Sequence, residues 1–318
     1  MSFDLILPFL RPIEHLILDP LISEIMVNGD RRVWIERHGL LEEVPGLALD
    51  ARFLRVAVQT IARTLGDDFG EERPLLDARL PDGSRIAAAM PPVSVGGITL
   101  TIRKHRAQFY TPDELVDLKT VSAQVLTQLR DLIGARQNLL ITGGTGTGKT
   151  TLLNALTTYI PADERIVLIE DTAELRIDRA NLVRFEARRE QPSLPAVSIR
   201  DLLRTTLRHR PDRIILGEVR GGEAFDLLQA LNTGHSGSLT TLHANDAAQA
   251  LTRLASCVLM SGVDVPYQAI RASLAETIHC IVHVERRSAA RVVSELVRVG
   301  HYQVDADRFS LTRLSVSE

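Results

Sequence analysis

Residues 143 to 150 read Gly143-Gly-Thr-Gly-Thr-Gly-Lys-Thr150, a complete G-x-x-x-x-G-K-[ST] phosphate loop. The apolar run Asn138-Leu-Leu-Ile-Thr142 before it reads as a buried strand, and Thr151-Leu-Leu-Asn-Ala-Leu156 after it reads as a helix. A glycine-rich turn with a chance lysine would leave that strand–loop–helix context unexplained. Glycines without Cβ let successive backbone N–H groups curl around a polyphosphate, and the following helix points its positive end at the same anion. The nucleotide-binding set expected here is Gly143, Gly144, Thr145, Gly146, Thr147, Gly148, Lys149, Thr150 and Thr151. Lys149 is expected to bridge the β- and γ-phosphates, and the Thr150 hydroxyl to hold Mg²⁺.

The bulk numbers fit this reading and narrow it. A chain of 318 residues has room for about two domains. Hydrophobic content of 45% and charged content of 24% are ordinary for a globular protein. A net charge of −3 gives no global basic field to recruit nucleic acid. Cys257 and Cys280 form no C-x-x-C pair, so neither a zinc site nor a disulfide framework is indicated. The apolar start Met1 to Leu10 carries an early acid and no basic segment, which is unlike a signal peptide. No stretch approaches the roughly 20 apolar residues that span a bilayer. A reducing cytosol is the expected compartment.

Two domains are expected, 1–108 and 109–318. The first reads as a smaller α+β domain. Its strands are expected at 24–28, 32–36, 75–80, 85–90 and 98–103, and its helix at 52–65, with turns at Asn28-Gly-Asp30, Pro81-Asp-Gly83 and Gly96-Gly97. A hinge falls at 108–111, where Thr111-Pro-Asp-Glu114 carries a capping box. Beyond it, strands at 138–142, 165–169, 182–185, 213–216 and 238–242 alternate with helices. That alternation predicts an α/β fold, a mainly parallel sheet with helices on both faces. A RecA-like P-loop NTPase core is the natural fit. The runs after Val282 look strand-like and suggest no function.

Further residues are candidates for chemistry. Arg213-Ile-Ile-Leu-Gly-Glu-Val-Arg220 is an apolar strand that delivers Glu218 to its end, where an acid can serve the attacking water. A surface glutamate just past a strand is the bland alternative. Val167-Leu-Ile-Glu-Asp171 delivers Glu170 and Asp171 to the crevice in the same way, as catalytic (Glu170) and metal-binding groups (both), with Glu174 close behind. His235 and His243 flank a further strand, and either could sense a γ-phosphate or sit in the core. Metal ligation by them lacks a third ligand at a typical spacing.

Four blocks therefore stand in order: the phosphate loop, Leu168-Ile-Glu-Asp-Thr-Ala-Glu174, Arg210-Pro-Asp-Arg-Ile-Ile-Leu-Gly-Glu-Val-Arg-Gly-Gly-Glu223, and Thr233-Gly-His-Ser-Gly-Ser-Leu-Thr-Thr-Leu-His-Ala-Asn-Asp246. This order resembles the secretion-ATPase superfamily of type II and type IV secretion, type IV pili and conjugation. Its marks are a Walker A loop, an Asp box, a Walker B motif ending in Gly-Glu, and a His box. Glu24-Ile-Met-Val-Asn-Gly29, Arg32-Val-Trp-Ile-Glu-Arg-His-Gly39, Leu80-Pro-Asp-Gly-Ser-Arg85 and Leu100-Thr-Ile-Arg-Lys104 resemble its amino-terminal domain. The conjugative-transfer branch typified by TrbB is the nearest in wording, and the tight-adherence pilus ATPases share much of it. The Cys-x-x-Cys pair usual in the type II secretion and pilus-extension branches is absent.

The resemblance implies an ATP hydrolase using Mg²⁺, a homohexamer peripheral to the cytoplasmic face of the inner membrane, with membrane components of a secretion or conjugation apparatus as partners. It also implies that Arg103 reaches the phosphates from the amino-terminal domain, with Arg85 a weaker candidate, and that His235 reports nucleotide state. A guanidinium so placed can neutralise charge developing on the transferred phosphoryl group, whereas Arg220 could equally be structural. Arg200, Arg204 and Arg208 recur every four residues and share a helix face, as a subunit contact, a solvated face or a DNA stripe. No aromatic residues interleave them for base stacking. Direct DNA binding, as in a RecA-type translocase, stays open.

Overall fold

The computed structural model describes residues 4, 6–37, 39–80, 82–104, 109–190, 194–287 and 290–314. Gln108 of the expected hinge, Pro81 of the expected turn, His38, Met1 to Phe3 and Leu5 of the apolar start, and the tail from Ser315 lie outside the described residues. The chain divides into two compact units, Met1–Gln108 with Glu190–Leu194, and Phe109–Arg189 with Pro195–Glu318.

The first unit is built on an antiparallel sheet. In chain order come α1 (Glu14–Leu18), β1 (Ile22–Val27), β2 (Arg32–Arg37), β3 (Leu40–Ala48), α2 (Ala51–Thr64), β4 (Leu75–Arg79), β5 (Arg85–Ala89) and β6 (Thr99–Arg103). The strands lie in the order β3-β2-β1-β6-β5-β4. Helix α2 starts where Asp50 accepts from the N–H groups of Arg52 and Phe53 at 2.9 and 3.0 Å, an N-cap that satisfies two orphan donors. Its buried residues Leu54, Ala57, Val58, Ile61 and Ala62 recur at helical spacing and join the core with Ile25, Ile86 and Ile102 of the sheet. Strand β3 was not expected from the sequence. It carries Glu42, Glu43 and Pro45 and is largely exposed, as an edge strand tolerates.

The second unit is the expected α/β core. It contains α3 (Pro112–Asp117), α4 (Ala123–Gly134), β7 (Leu139–Gly143), α5 (Lys149–Leu156), β8 (Ile166–Glu170), β9 (Leu182–Glu186), α6 (Ile199–Thr206), β10 (Arg213–Val219), α7 (Glu223–Asn232), β11 (Leu239–His243), α8 (Ala247–Leu259), α9 (Tyr267–Thr277), β12 (Cys280–Arg287), β13 (Ala290–Gln303) and β14 (Arg308–Arg313). Strand order is β14-β13-β12-β7-β11-β10-β8-β9. The run from β12 to β9 is parallel, and β13 and β14 extend it antiparallel at one side.

Both faces are covered. Leu140, Ile214, Leu216 and Ile281 pack with residues of α7, α8 and α9, while Leu139, Ile141, Ile215 and Val282 pack with residues of α4 and α5. Neighbours along one strand thus enter opposite cores, which is why these strands read as continuous apolar runs. The Thr111 capping box forms as expected, with Thr111 N donating to Glu114 Oε2 at 2.7 Å and Glu114 N to Thr111 Oγ1 at 3.2 Å. Among the described residues no helix is long and apolar enough to cross a membrane.

The amino ends of the strands are tied by a buried charge. Arg213, with no exposed surface, donates through Nη2 to Glu164 Oε1 at 3.1 Å and Ile133 O at 2.9 Å, and through Nη1 to Gly237 O at 3.2 Å. Its Nε also donates to Glu164 Oε2. Gly237 has φ +86°, and a Cβ there would stand 2.2 Å from Arg213 Nη1. Only glycine fits.

Candidate functional site

The phosphate loop leaves the carboxyl end of fully buried β7 and enters α5. Gly143 turns with φ +153°, where a Cβ would meet Val284 O at 2.1 Å. Gly146 and Gly148 have φ +71° and +95°, and among the described residues no side chain caps α5. The first-turn N–H groups are therefore left to a ligand or solvent. Thr145 is exposed, whereas the Thr147 hydroxyl is buried and donates to Gly144 O at 3.0 Å. Thr150 and Thr151 occupy the first turn of α5.

Lys149 lies buried beneath the loop. Its Nζ donates to Gly144 O at 2.7 Å and Gly143 O at 3.1 Å, and burial lowers its pKa from the ordinary lysine value. A polyphosphate would supply the negative charge that this ammonium lacks.

Beside it a constellation gathers from two neighbouring strands. β11 runs parallel to β7 with His243 opposite Gly143. His243 Nδ1 lies 3.4 Å from Lys149 Nζ, and its Nε2 lies 3.1 Å from Glu218 Oε1. Burial first, then the Lys149 charge, lower the pKa of His243. A neutral ring accepting from Lys149 at Nδ1 carries its proton on Nε2, towards Glu218. Glu218 sits where β10 shifts register between Leu216 and Val219, and Thr241 Oγ1 donates to Gly217 O at 2.7 Å across that irregularity. Such a bulge re-aims a side chain. Arg220 Nη2 donates to Glu218 Oε2 at 2.9 Å, a bond that raises the Arg220 pKa. The approach of Nε2 to Oε1 is short but poorly directed, and among the described residues buried Oε1 has no hydrogen-bond donor.

Other expected residues are placed differently. Glu170 is buried at the end of β8. Its Oε1 accepts from Glu174 N and Leu175 N, both at 2.8 Å, and its Oε2 lies 3.6 Å from Arg184 Nη2. Burial raises its pKa despite these bonds. The two backbone bonds it accepts shape the loop after β8. Asp171 is 3.5 Å from Arg220 Nη1, which joins it to the Glu218 group. Arg220, read from sequence as either catalytic or structural, holds both acids.

His235 is not brought to the loop. It precedes β11, and its Nδ1 lies 3.1 Å from Ala230 O. That is the amino end of the sheet, where Asn138 Oδ1 accepts from Gly237 N and Ser238 N at 2.7 and 2.9 Å. His243, at the carboxyl end of the same strand, is the histidine that stands beside the loop. Arg200 Nε and Arg204 Nε donate to the two oxygens of Asp226 on α7 at 2.6 and 2.9 Å, so two of the three stripe arginines serve an internal pairing. In the first unit, Arg103 ends β6 beside Glu24, with Nε 3.6 Å from Glu24 Oε1 and the side chain 58% exposed. Arg85 lies opposite it on β5.

Two residues went unsingled in the sequence. His283 of β12 is buried with Nδ1 2.9 Å from Thr142 Oγ1, at the root of the loop. Arg291 of β13 donates from Nε to Gly146 O at 3.0 Å. No local spacing signals either one, because both reach the loop through strand pairing.

A family model described as type II/IV secretion system protein matches residues 9–306. The conjugal transfer protein TrbB of Rhizobium radiobacter is 36% identical over 298 residues, covering 90% of this chain and 88% of that protein. The type IV secretion system protein PtlH of Bordetella pertussis is 39% identical over 293 residues, covering 84% and 86%. Among solved structures, the VirB11 ATPase of the Brucella suis type IV secretion system, in complex with sulphate, is 32% identical, with a TM-score of 0.51 over 92% of this chain and 97% of that one.

Proposed function

Because the chain belongs to the type II/IV secretion system protein family, we propose that it is a Mg²⁺-dependent ATPase. It powers conjugative transfer or type IV secretion, or assembly of the associated pilus. It works as a hexamer at the cytoplasmic face of the inner membrane, alongside membrane components of that apparatus. Residues 109–318 are the ATPase core, and 1–108 supply subunit and nucleotide contacts, Arg103 among them.

The observation that carries this reading is Glu218 Oε1, buried 3.1 Å from His243 Nε2 yet with no partner of hydrogen-bond geometry among the described residues. Arg220 holds the other oxygen, so the carboxylate can present Oε1 to a water and accept its proton as that water attacks the γ-phosphate. Lys149 exchanges the Gly143 and Gly144 carbonyls for phosphate oxygens. Arg103 adds charge as the transition state forms. His243 links Lys149 to Glu218 and is the group suited to register the γ-phosphate.

The residues fit Mg²⁺ held largely by substrate and water. Thr150 would contribute its hydroxyl, with Asp171, 3.5 Å from Arg220 Nη1, and Glu170 as the acids at the strand ends. Among the described residues no three His, Cys, Asp or Glu side chains converge into an all-protein cage, which suits a cation that keeps most of its waters. When bound, the ion neutralises charge between the β- and γ-phosphates.

Phosphate release by the purified protein, with and without Mg²⁺ and in Lys149→Ala, tests the enzyme reading. Activity of that variant within about twofold of wild type would remove the phosphate-loop assignment. Mass photometry with a non-hydrolysable ATP analogue tests the ring, since a ligand that prefers the closed form shifts the population towards it. A persistent monomer with full activity would sink the ring.

A further inference from the structure

The antiparallel extension of the core sheet brings one cation onto the phosphate loop. Arg291 is the second residue of β13, and its Nε donates to the carbonyl of Gly146 at 3.0 Å. Its Cδ lies 3.1 Å from where a Cβ on Gly148 would stand. The side chain therefore lies along the loop, over the glycines that flank Thr147.

We propose that Arg291 is a positioning residue that sets the Gly146–Thr147 peptide in its phosphate-binding orientation. A trans peptide points its C=O and N–H to opposite sides. Holding Gly146 O from the β13 side turns the Thr147 N–H towards the other side, where a phosphate cradle needs donors to converge. The peptide needs such a hold. Gly146, at φ +71°, is on its amino side, and glycine gives little resistance to reorientation. The Thr147 hydroxyl, donating to Gly144 O, steadies the side chain but leaves the Gly146 carbonyl free to turn. A charge-assisted bond from a neighbouring strand supplies the missing constraint. The inference rests on the nucleotide-site reading above.

The geometry makes the test sharp. The donor is Nε, and glutamine carries its Nε2 at the same point along the side chain. Lysine keeps the charge but has a methylene there. MgADP binding should be titrated calorimetrically into the full chain and into Arg291→Ala, Arg291→Gln, Arg291→Lys and Arg287→Ala. Arg287 lies on the same hairpin and pairs with Glu285 Oε1 at 2.6 Å, so it controls for the general field. Arg291→Ala should bind about 10- to 100-fold more weakly. Arg291→Gln should return to within about threefold of wild type. Arg291→Lys should resemble alanine, and Arg287→Ala should stay within about twofold of wild type. Rescue by lysine and not by glutamine would overturn the clamp in favour of a charge acting on phosphate. Unchanged binding by Arg291→Ala, or an equal loss in Arg287→Ala, would overturn it as well. If the alanine variant does not fold, the glutamine–lysine contrast decides alone. Failure of the wild type to bind MgADP would fell the nucleotide-site reading and the clamp with it.

Discussion

Glu218→Gln separates chemistry from binding at this site. The carboxylate is 20% exposed and accepts from Arg220 Nη2 at 2.9 Å. Glutamine fills the same space and keeps an oxygen for Arg220, so the ground state loses only part of one charge-assisted hydrogen bond, about 1 kcal/mol. The Glu218 charge is also the leading partner that supports protonation of Lys149. Removing it leaves a more positive pocket facing a polyanion, so ATP affinity should hold or rise. Basicity is what disappears. Loss of a positioned general base lowers kcat by about 10²- to 10⁴-fold, or about 2.7–5.5 kcal/mol, well above the ground-state change. Single-turnover phosphate release measures the first quantity, and fluorescent-nucleotide titration the second. A kcat loss under about fivefold would refute the assignment. Asp171 would then be the better base, since the Oε1 of Glu170 is already held by two backbone N–H groups and Arg184 lies beside its Oε2.

Arg103→Ala should lower kcat by about 10-fold or more while raising nucleotide Kd less; equal losses of ATP and ADP affinity with unchanged kcat would reassign it to ground-state binding. His243→Ala should cut kcat by about 10-fold and His235→Ala leave it nearly unchanged, and the reverse ranking would restore His235 as the sensor. Gly237→Ala combines a positive φ with a collision on a buried, bidentate arginine, so chemical denaturation should show a loss of about 3 kcal/mol or more, and a loss under about 1 kcal/mol would mean that Arg213 is not held as described. Burial lowers the His283 pKa below the ordinary value, so the unfolded chain takes up this proton first. The stability linked to it is full above about pH 6.5 and is lost as pH falls through the folded value. Melting temperature should accordingly drop from neutral to mildly acid pH, with a shallower slope in His283→Gln, and an unchanged slope would exclude His283 as a contributor.

The core sheet was readable because its strands are apolar on both faces, and the phosphate loop because its chemistry is written in eight consecutive residues. Leu139 to Ile141 and Ile166 to Ile169 are almost wholly buried, so no alternation had to be found. β3 escaped for the opposite reason. Glu42, Glu43 and Pro45 look like a loop, and only pairing with β2, register break included, makes them a strand. β13 and β14 were visible as strand-like runs, yet nothing in a run of residues says that its second member will reach Gly146.

The histidine assignment turns on direction, not on composition. His235 and His243 bracket one strand, and by sequence either can sense a γ-phosphate, with His235 the one expected to report nucleotide state. In a parallel sheet the reactive groups gather where strands end, and β11 begins after His235 and ends at His243. Because β11 pairs with β7 in parallel register, from Leu239 opposite Leu139 to His243 opposite Gly143, the strand end that carries the loop also carries His243. The same rule places Glu218, Arg220 and Asp171 at that end and leaves Arg213, Glu164, Asn138 and Gly237 to tie the other. One end of the sheet is thus closed by internally matched charges. The other keeps a Glu218 oxygen with no partner of hydrogen-bond geometry among the described residues and a lysine held by two backbone carbonyls and a neutral histidine, the imbalance that a polyphosphate and its attacking water would complete.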